Sequence, residues 1–392
     1  MYYSQKEFPL SHNIFLKPLN DMWVNGWFDE FSNNHFLIVA IIEQKINYRT
    51  KEQVEIASTS LYNENDNDAI NFLINLSCVL NKMIRLCGEK QIEQFVKNQL
   101  SAGKDQYDED QFFQALHEIQ VFNFFTNYGN PQVKYEIPIG GESGKRNPEF
   151  RICNEFTIPG PTPEKPLYNK QFYTFDIEVK SVEGRLDSSI NDDKPFVVPT
   201  IAIDFNKRVQ LKALCENRGF QLELPNITHV CDFLNDAADK FEYPKESNHY
   251  NILFLNWTHR EIPKINFIEP LSILWNEDNG LLRFKEIGGK KWLTSDVYEK
   301  ISAIFIYSFP RQVLTFQDLK WVYSTDSYAV IINPSLKKEQ QEKLNLLLRG
   351  KNNDSKITNL IFSLYNKGGI LTDQNLKSLR EIQEYIESIP YK

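Results

Sequence analysis

The chain is poor in the residues that mark several common classes of protein. Its five cysteines, Cys78, Cys87, Cys153, Cys215 and Cys231, are odd in number and widely spaced, with no Cys-x-x-Cys pair. Neither a zinc ribbon nor a disulfide framework is supported by such spacing. Long apolar runs are also missing. Phe36 to Ile42 falls far short of the roughly 20 residues that a membrane-spanning helix needs, and it reads as a buried strand. Positive charge is not in excess either: the net charge is −8, so any affinity for nucleic acid has to come from local basic patches. The opening Met1-Tyr2-Tyr3-Ser4-Gln5-Lys6-Glu7 lacks the charged, apolar and small-residue regions of a signal peptide, so a cytoplasmic location with no membrane partner is the expectation. No internal repeat or low-complexity tract stands out.

The chain has ample means to fold. Hydrophobic residues make up 41% and charged residues 24%, with 28 Phe and 18 Tyr, a balance that fits a globular protein and not a disordered one. With 392 residues there is length for two or three domains. The first hundred residues hold helix candidates at Asp68–Leu86, with Asp68 as cap, and at Glu89–Leu100. Ala102 to Tyr107 is polar with a glycine and reads as a linker.

From Asp108 the pattern becomes denser. Asp108 is placed to cap a helix running to about Asn127, stopped by Tyr128-Gly129-Asn130-Pro131. Val133–Ile139 alternates as a strand, and Pro148–Cys153 is its expected antiparallel return. Prolines at 159, 161, 163 and 166 interrupt the chain before a strand at Gln171–Val182. A helix at Asp204–Arg218 follows, then apolar runs at Asn251–Trp257, Ile301–Tyr307 and Tyr328–Ile332 that suit buried strands of one sheet. Helices are expected at Glu339–Leu348 and Asp373–Ile389. This order predicts an α/β fold, a mixed β-sheet core flanked by helices, with N-terminal and C-terminal extensions at residues 1–100 and 336–392 around a central domain at 101–335.

One segment carries chemistry. In Asp176-Ile177-Glu178-Val179-Lys180 the period-two geometry of a strand puts Asp176, Glu178 and Lys180 on one face and the apolar residues on the other. Divalent cations require clustered carboxylate oxygens, and a lysine beside them can hold or polarise an attacking water. Glu118 lies upstream on the Asp108 helix, on the same face as Ala115, Phe122 and Phe125, and Pro148-Glu149 opens the returning strand.

Together, Glu118, Pro148-Glu149 and Glu178-Val179-Lys180 resemble the PD-(D/E)XK, or restriction-endonuclease-like, nuclease superfamily, over roughly Asp108 to Trp257. One departure is that the proline-linked acid, usually aspartate, is here Glu149. The resemblance implies a Mg²⁺- or Mn²⁺-dependent endonuclease hydrolysing phosphodiester bonds in DNA, in a prokaryotic restriction or phage-defence setting. It implies that Glu149, Glu178 and the carbonyl of Val179 hold the metal, that Lys180 orients the water, and that Glu118 acts from an outer position. Asp176 shares their face and is a rival ligand to Glu149. Lys145, Arg146, Arg185, Lys207, Arg208 and Gln210 are candidate nucleic-acid contacts, with Lys212 beside them, and a solvated surface explains the basic residues equally well. A homodimer, or a partner protein docked on the extensions, is a further expectation.

Other motifs fail. His117-Glu118-Ile119-Gln120-Val121 lacks the second histidine of a zinc-protease helix, and the glycines at 140, 141 and 144 do not fit a phosphate-binding loop. Two rival readings remain open: a non-catalytic binding or assembly module of the same fold, and a resolvase or transposition end-cleaving nuclease.

Overall fold

The computed structural model describes residues 14–38, 41, 64–103, 106–127, 129–136, 147–158, 169–184, 196–199, 205–222, 227–244, 246–259, 268–275, 280–286, 289–307, 328–348, 362–365, 381 and 384. These cluster into two compact units. Described residues within Met1–Ile137 and Glu149–Glu155 form the first, and those within Pro138–Pro148, Phe156–Phe309 and Asp326–Lys392 the second.

Unit 1 is mainly helical. Its helices are α1 (Lys17–Val24), α2 (Glu64–Cys87), α3 (Glu89–Phe95), which runs on into a π-helical turn at Val96–Leu100, and α4 (Glu109–Thr126). Helix α4 begins where Asp108 predicts: its side chain accepts from the backbone N–H of Asp110 at 2.9 Å and of Gln111 at 3.3 Å, satisfying two donors that the first helical turn leaves open. Most of α4 is buried on every side, from Phe112 and Phe113 to Phe122 and Phe125, as expected of a helix that is apolar nearly all round. Strand β1 (Gln132–Tyr135) then pairs antiparallel with β2 (Phe150–Ile158), Val133 opposite Ile152 and Tyr135 opposite Phe150.

Two expectations for this unit need correction. Phe36–Ile38 and Ile41 are helical, not part of a strand, because a short continuous apolar run buries equally well as either element and its period cannot decide. Asp68 is not a cap. Helix α2 starts at Glu64, so Asp68 lies inside its second turn.

Unit 2 carries β3 (Asn169–Gly184), β4 (Phe196–Pro199), α5 (Phe205–Asn217), β5 (Gln221–Leu222), α6 (Ile227–Lys240), β6 (His249–His259), α7 (Ile268–Trp275), α8 (Ser295–Lys300), β7 (Ala303–Tyr307), β8 (Tyr328–Ile332), α9 (Lys338–Leu348) and β9 (Phe362–Tyr365). A six-stranded mixed sheet has the order β1-β2-β3-β6-β7-β8, and a smaller one the order β5-β4-β9. β3, β6 and β7 run parallel, and β8 returns antiparallel to β7. The apolar runs at Asn251, Ile301 and Tyr328 thus extend one sheet, as their composition suggests. Leu234, Ala237 and Ala238 of α6 share a buried cluster with Leu253, Leu255 and Trp257 of β6 and Ile304 and Ile306 of β7. The helix expected at Asp373–Ile389 lies largely outside the described residues.

Among the described residues no helix is long and apolar enough to cross a membrane.

Candidate metal centre

In unit 2 the chemistry is built on β3, a central strand buried on both faces. Phe175, Ile177 and Val179 are fully buried, and so are Asp176 and Glu178 on the opposite face. Burying an ionised carboxylate is costly unless it is paired. The structure supplies partners for both.

Glu178 lies opposite Leu253 of β6 and Lys180 opposite Leu255. Residues opposite each other in parallel strands share a face, so both lie on the face that packs beneath α6. That helix presents Asp236 and Lys240 one turn apart, at the spacing that sets two side chains side by side. Lys180 Nζ is 3.0 Å from Glu178 Oε1 and 2.9 Å from Asp236 Oδ2. Lys240 Nζ reaches the same Glu178 oxygen at 2.5 Å. Two ammonium groups therefore converge on one carboxylate oxygen. Among the described residues the other oxygen, Glu178 Oε2, is buried and accepts no hydrogen bond.

An orphaned buried carboxylate oxygen calls for an explanation, and a cation is one of the standard ones. Glu178 Oε2 is an oxygen donor of the hard kind that a divalent ion would take, and the resemblance adds the backbone carbonyl of Val179. Among the described residues no group of three or more His, Cys, Asp or Glu side chains forms a ready metal cage. A Mg²⁺ site needs fewer protein ligands, because that ion keeps several of its waters.

Asp176 is occupied differently. Its Oδ2 lies 2.9 Å from Nε2 of His249, a buried residue at the start of β6. In sequence His249 forms no metal-ligand spacing and reads as a surface or core polar residue; in the fold it is buried. Its imidazole gives the buried acid a hydrogen-bond partner.

Unit 1 holds the other two acids. Glu118 is buried on α4, and the Tyr135 hydroxyl of β1 donates to its Oε2 at 3.5 Å. Burial, with the nearby charges of Glu118, Glu136 and Glu149, holds the Tyr135 phenol far above its ordinary pKa, so it stays a neutral donor. Glu149 is half-buried at the entry to β2. Its backbone carbonyl accepts from the N–H of Glu136 at 2.9 Å. Glu136 has a left-handed φ of 46°, and its side chain accepts from Gln99 of the π-helical turn at 3.1 Å. Such backbone is strained for a non-glycine residue. A groove of about 200 Å³ lined by Gln91, Asn98, Gln99, Tyr135 and Glu136 runs along this edge.

Of the basic and polar candidates, Gln210 and Lys212 are exposed on α5. Lys207 and Arg208 are on the same helix with side chains outside the described set, and Lys145, Arg146 and Arg185 lie outside the described residues. A second groove, about 320 Å³ and lined by Leu271, Trp275, Ile331 and Lys338, contains neither Glu178 nor Lys180. Burial pushes the thiols of Cys87, Cys215 and Cys231 up to about 12, which leaves them protonated and non-nucleophilic at neutral pH.

Compared with family models, curated proteins and solved structures, the chain matches none.

Proposed function

We propose that the chain is a Mg²⁺- or Mn²⁺-dependent nuclease of restriction-endonuclease-like fold that hydrolyses phosphodiester bonds in DNA. The observation that carries the reading is Glu178: fully buried, ionically held on Oε1, with Oε2 accepting nothing among the described residues. Glu178 Oε2 would hold a divalent cation, which would supply Lewis-acid polarisation of the phosphate and acidify a water for attack. Lys180 orients that water and offsets charge developing on phosphorus. Asp236 holds the Lys180 ammonium in place, at 2.9 Å, so the lysine need not reorganise during the reaction. The resemblance implies a metal-ligand role for Glu149 and a role through a water for Glu118. A prokaryotic restriction or phage-defence setting goes with this reading.

The test is cleavage of plasmid and single-stranded DNA with Mg²⁺ or Mn²⁺ by wild type and Lys180→Ala. Activity in wild type that the variant lacks is expected. Equal activity in both refutes the assigned site.

One observation favours a second reading. Lys240 sits on Glu178 as a permanent cation would, which suits a non-catalytic binding or assembly module of the same fold. Calorimetry with Mn²⁺ separates the two, because such a module shows no heat that depends on Glu178.

A further inference from the structure

We propose that Lys240 is a positioning residue that competes with the divalent cation for Glu178 and thereby sets how tightly the metal binds. The inference rests on the nuclease reading. It starts from an asymmetry in the ion network: Glu178 Oε1 receives both Lys180 at 3.0 Å and Lys240 at 2.5 Å, while Oε2 is buried and accepts nothing among the described residues.

Both lysines reach Glu178 Oε1. Lys180 divides its charge between Glu178 and Asp236. Lys240 makes the shorter contact to Glu178 and is 12% exposed at its side chain. It comes from the last turn of α6, a position where the helix dipole also favours a cation. A carboxylate already carrying an ammonium group attracts a dication less, because the ammonium repels the incoming ion and withdraws electron density from the shared oxygen. This repulsion is weakly screened away from solvent. Lys240 thus keeps Glu178 aimed when the metal is absent, at a cost in metal affinity. A purely structural ion pair has the opposite consequence, since its removal lets Glu178 relax away from the site.

Titration calorimetry of Mn²⁺ into the full chain tests the sign, using wild type, Lys240→Met, Lys240→Arg and Glu178→Gln, with thermal unfolding run alongside. Lys240→Met keeps the length of the stem without its charge. It is expected to bind Mn²⁺ about tenfold more tightly than wild type, a change on the scale of one weakly screened charge, while Lys240→Arg binds no more tightly than wild type and Glu178→Gln does not bind. Detectable binding in Lys240→Met alone supports the proposal equally. Unchanged or weaker binding in Lys240→Met, with binding still lost in Glu178→Gln, overturns the role of Lys240 and leaves the metal site standing. No Glu178-dependent binding in any protein overturns the metal reading and this proposal with it. If Lys240→Met loses its cooperative transition, Lys240→Gln provides the same comparison.

Discussion

His249 Nε2 and Asp176 Oδ2 lie 2.9 Å apart, between the first residue of β6 and a fully buried acid on β3. The register sets Thr174 opposite His249 and Asp176 opposite Asn251, so the contact is diagonal, between neighbours on one face of a parallel pair. This hydrogen bond occupies Asp176 two residues before Glu178. Asp176 Oδ2 is thus occupied by the imidazole, and the proposed site is built without it.

The first prediction follows from that division of labour. His249→Ala leaves Asp176 buried without its imidazole, and a loss of about 2–3 kcal/mol is expected for a buried acid deprived of its partner. Asp176→Asn keeps the volume and is expected to cost less. Both variants should retain Mn²⁺ binding that Glu178→Gln abolishes. Denaturant unfolding with parallel metal titration checks this, and loss of binding in Asp176→Asn would return Asp176 to the ligand set.

The contrast between Asp176, Glu178 and Lys240 shows what the sequence made legible. β3 could be read because polar and apolar residues alternate along it, and β6 because an almost unbroken apolar run suits a strand covered on both faces. α4 was legible from Asp108 and from the Gly129 and Pro131 stop. Lys240 was not, since 62 residues separate it from Glu178 and a lysine near a helix end is ordinarily a solvated cation. Only the packing of α6 on β6 turns it inward. Asp236, and the pairing of His249 with Asp176, were hidden for the same reason: pairing across elements leaves no local pattern. The run at Phe36 failed for another cause, because continuous apolarity without a period does not choose between helix and strand.

The second prediction concerns the connection after α4. Gly129 has φ +72°, and a Cβ there would lie 2.5 Å from Asn154 Oδ1 and 3.3 Å from the Glu155 carbonyl oxygen. Asn154 is buried on β2 and has little room to retreat, since its Nδ2 donates to the Phe125 carbonyl of α4 at 3.5 Å. Gly129→Ala adds a left-handed backbone penalty to this clash, and a loss of about 1–3 kcal/mol is expected. Asp108→Ala, at the other end of α4, is expected to cost about 1 kcal/mol through loss of the cap. Chemical denaturation of the two single variants and the double variant tests both values, and the effects should add because the two positions sit at opposite ends of the helix.

A third prediction is a pH dependence from His35. Its Nε2–H donates to the Leu100 carbonyl at 2.9 Å, and its Nδ1 accepts from the Leu37 N–H at 3.0 Å. Both ring nitrogens are thus used by the neutral form. Burial pulls its pKa down to about 4 from 6.5, with the Leu100 bond opposing the shift. The unfolded chain binds the proton more readily, so the stabilisation is fully present above pH 6.5 and is lost as pH falls towards 4. The loss across this window is about 3 kcal/mol. Unfolding midpoints between pH 7 and pH 4 should fall more steeply for wild type than for His35→Gln, which cannot titrate.

The last prediction separates Glu118 as an outer participant in the reaction from Glu118 as a buried structural acid. The Tyr135 hydroxyl is a donor to Glu118, and burial together with three neighbouring carboxylates keeps the phenol protonated. Tyr135→Phe preserves the ring that packs edge-on against Phe95 and lies beside Phe150, so packing changes little. If Glu118 acts through a water, losing its donor alters the basicity of the carboxylate, and cleavage should fall about tenfold with Mn²⁺ affinity unchanged, a modest share of what a positioned acid or base contributes. Replacement by phenylalanine also frees Glu118 to take up a proton more readily, since a hydrogen bond to its charged form is gone. The acid limb of the pH–rate profile should then move to higher pH. A purely structural Glu118 leaves that limb where it is in wild type and shows the substitution only as a change in unfolding midpoint.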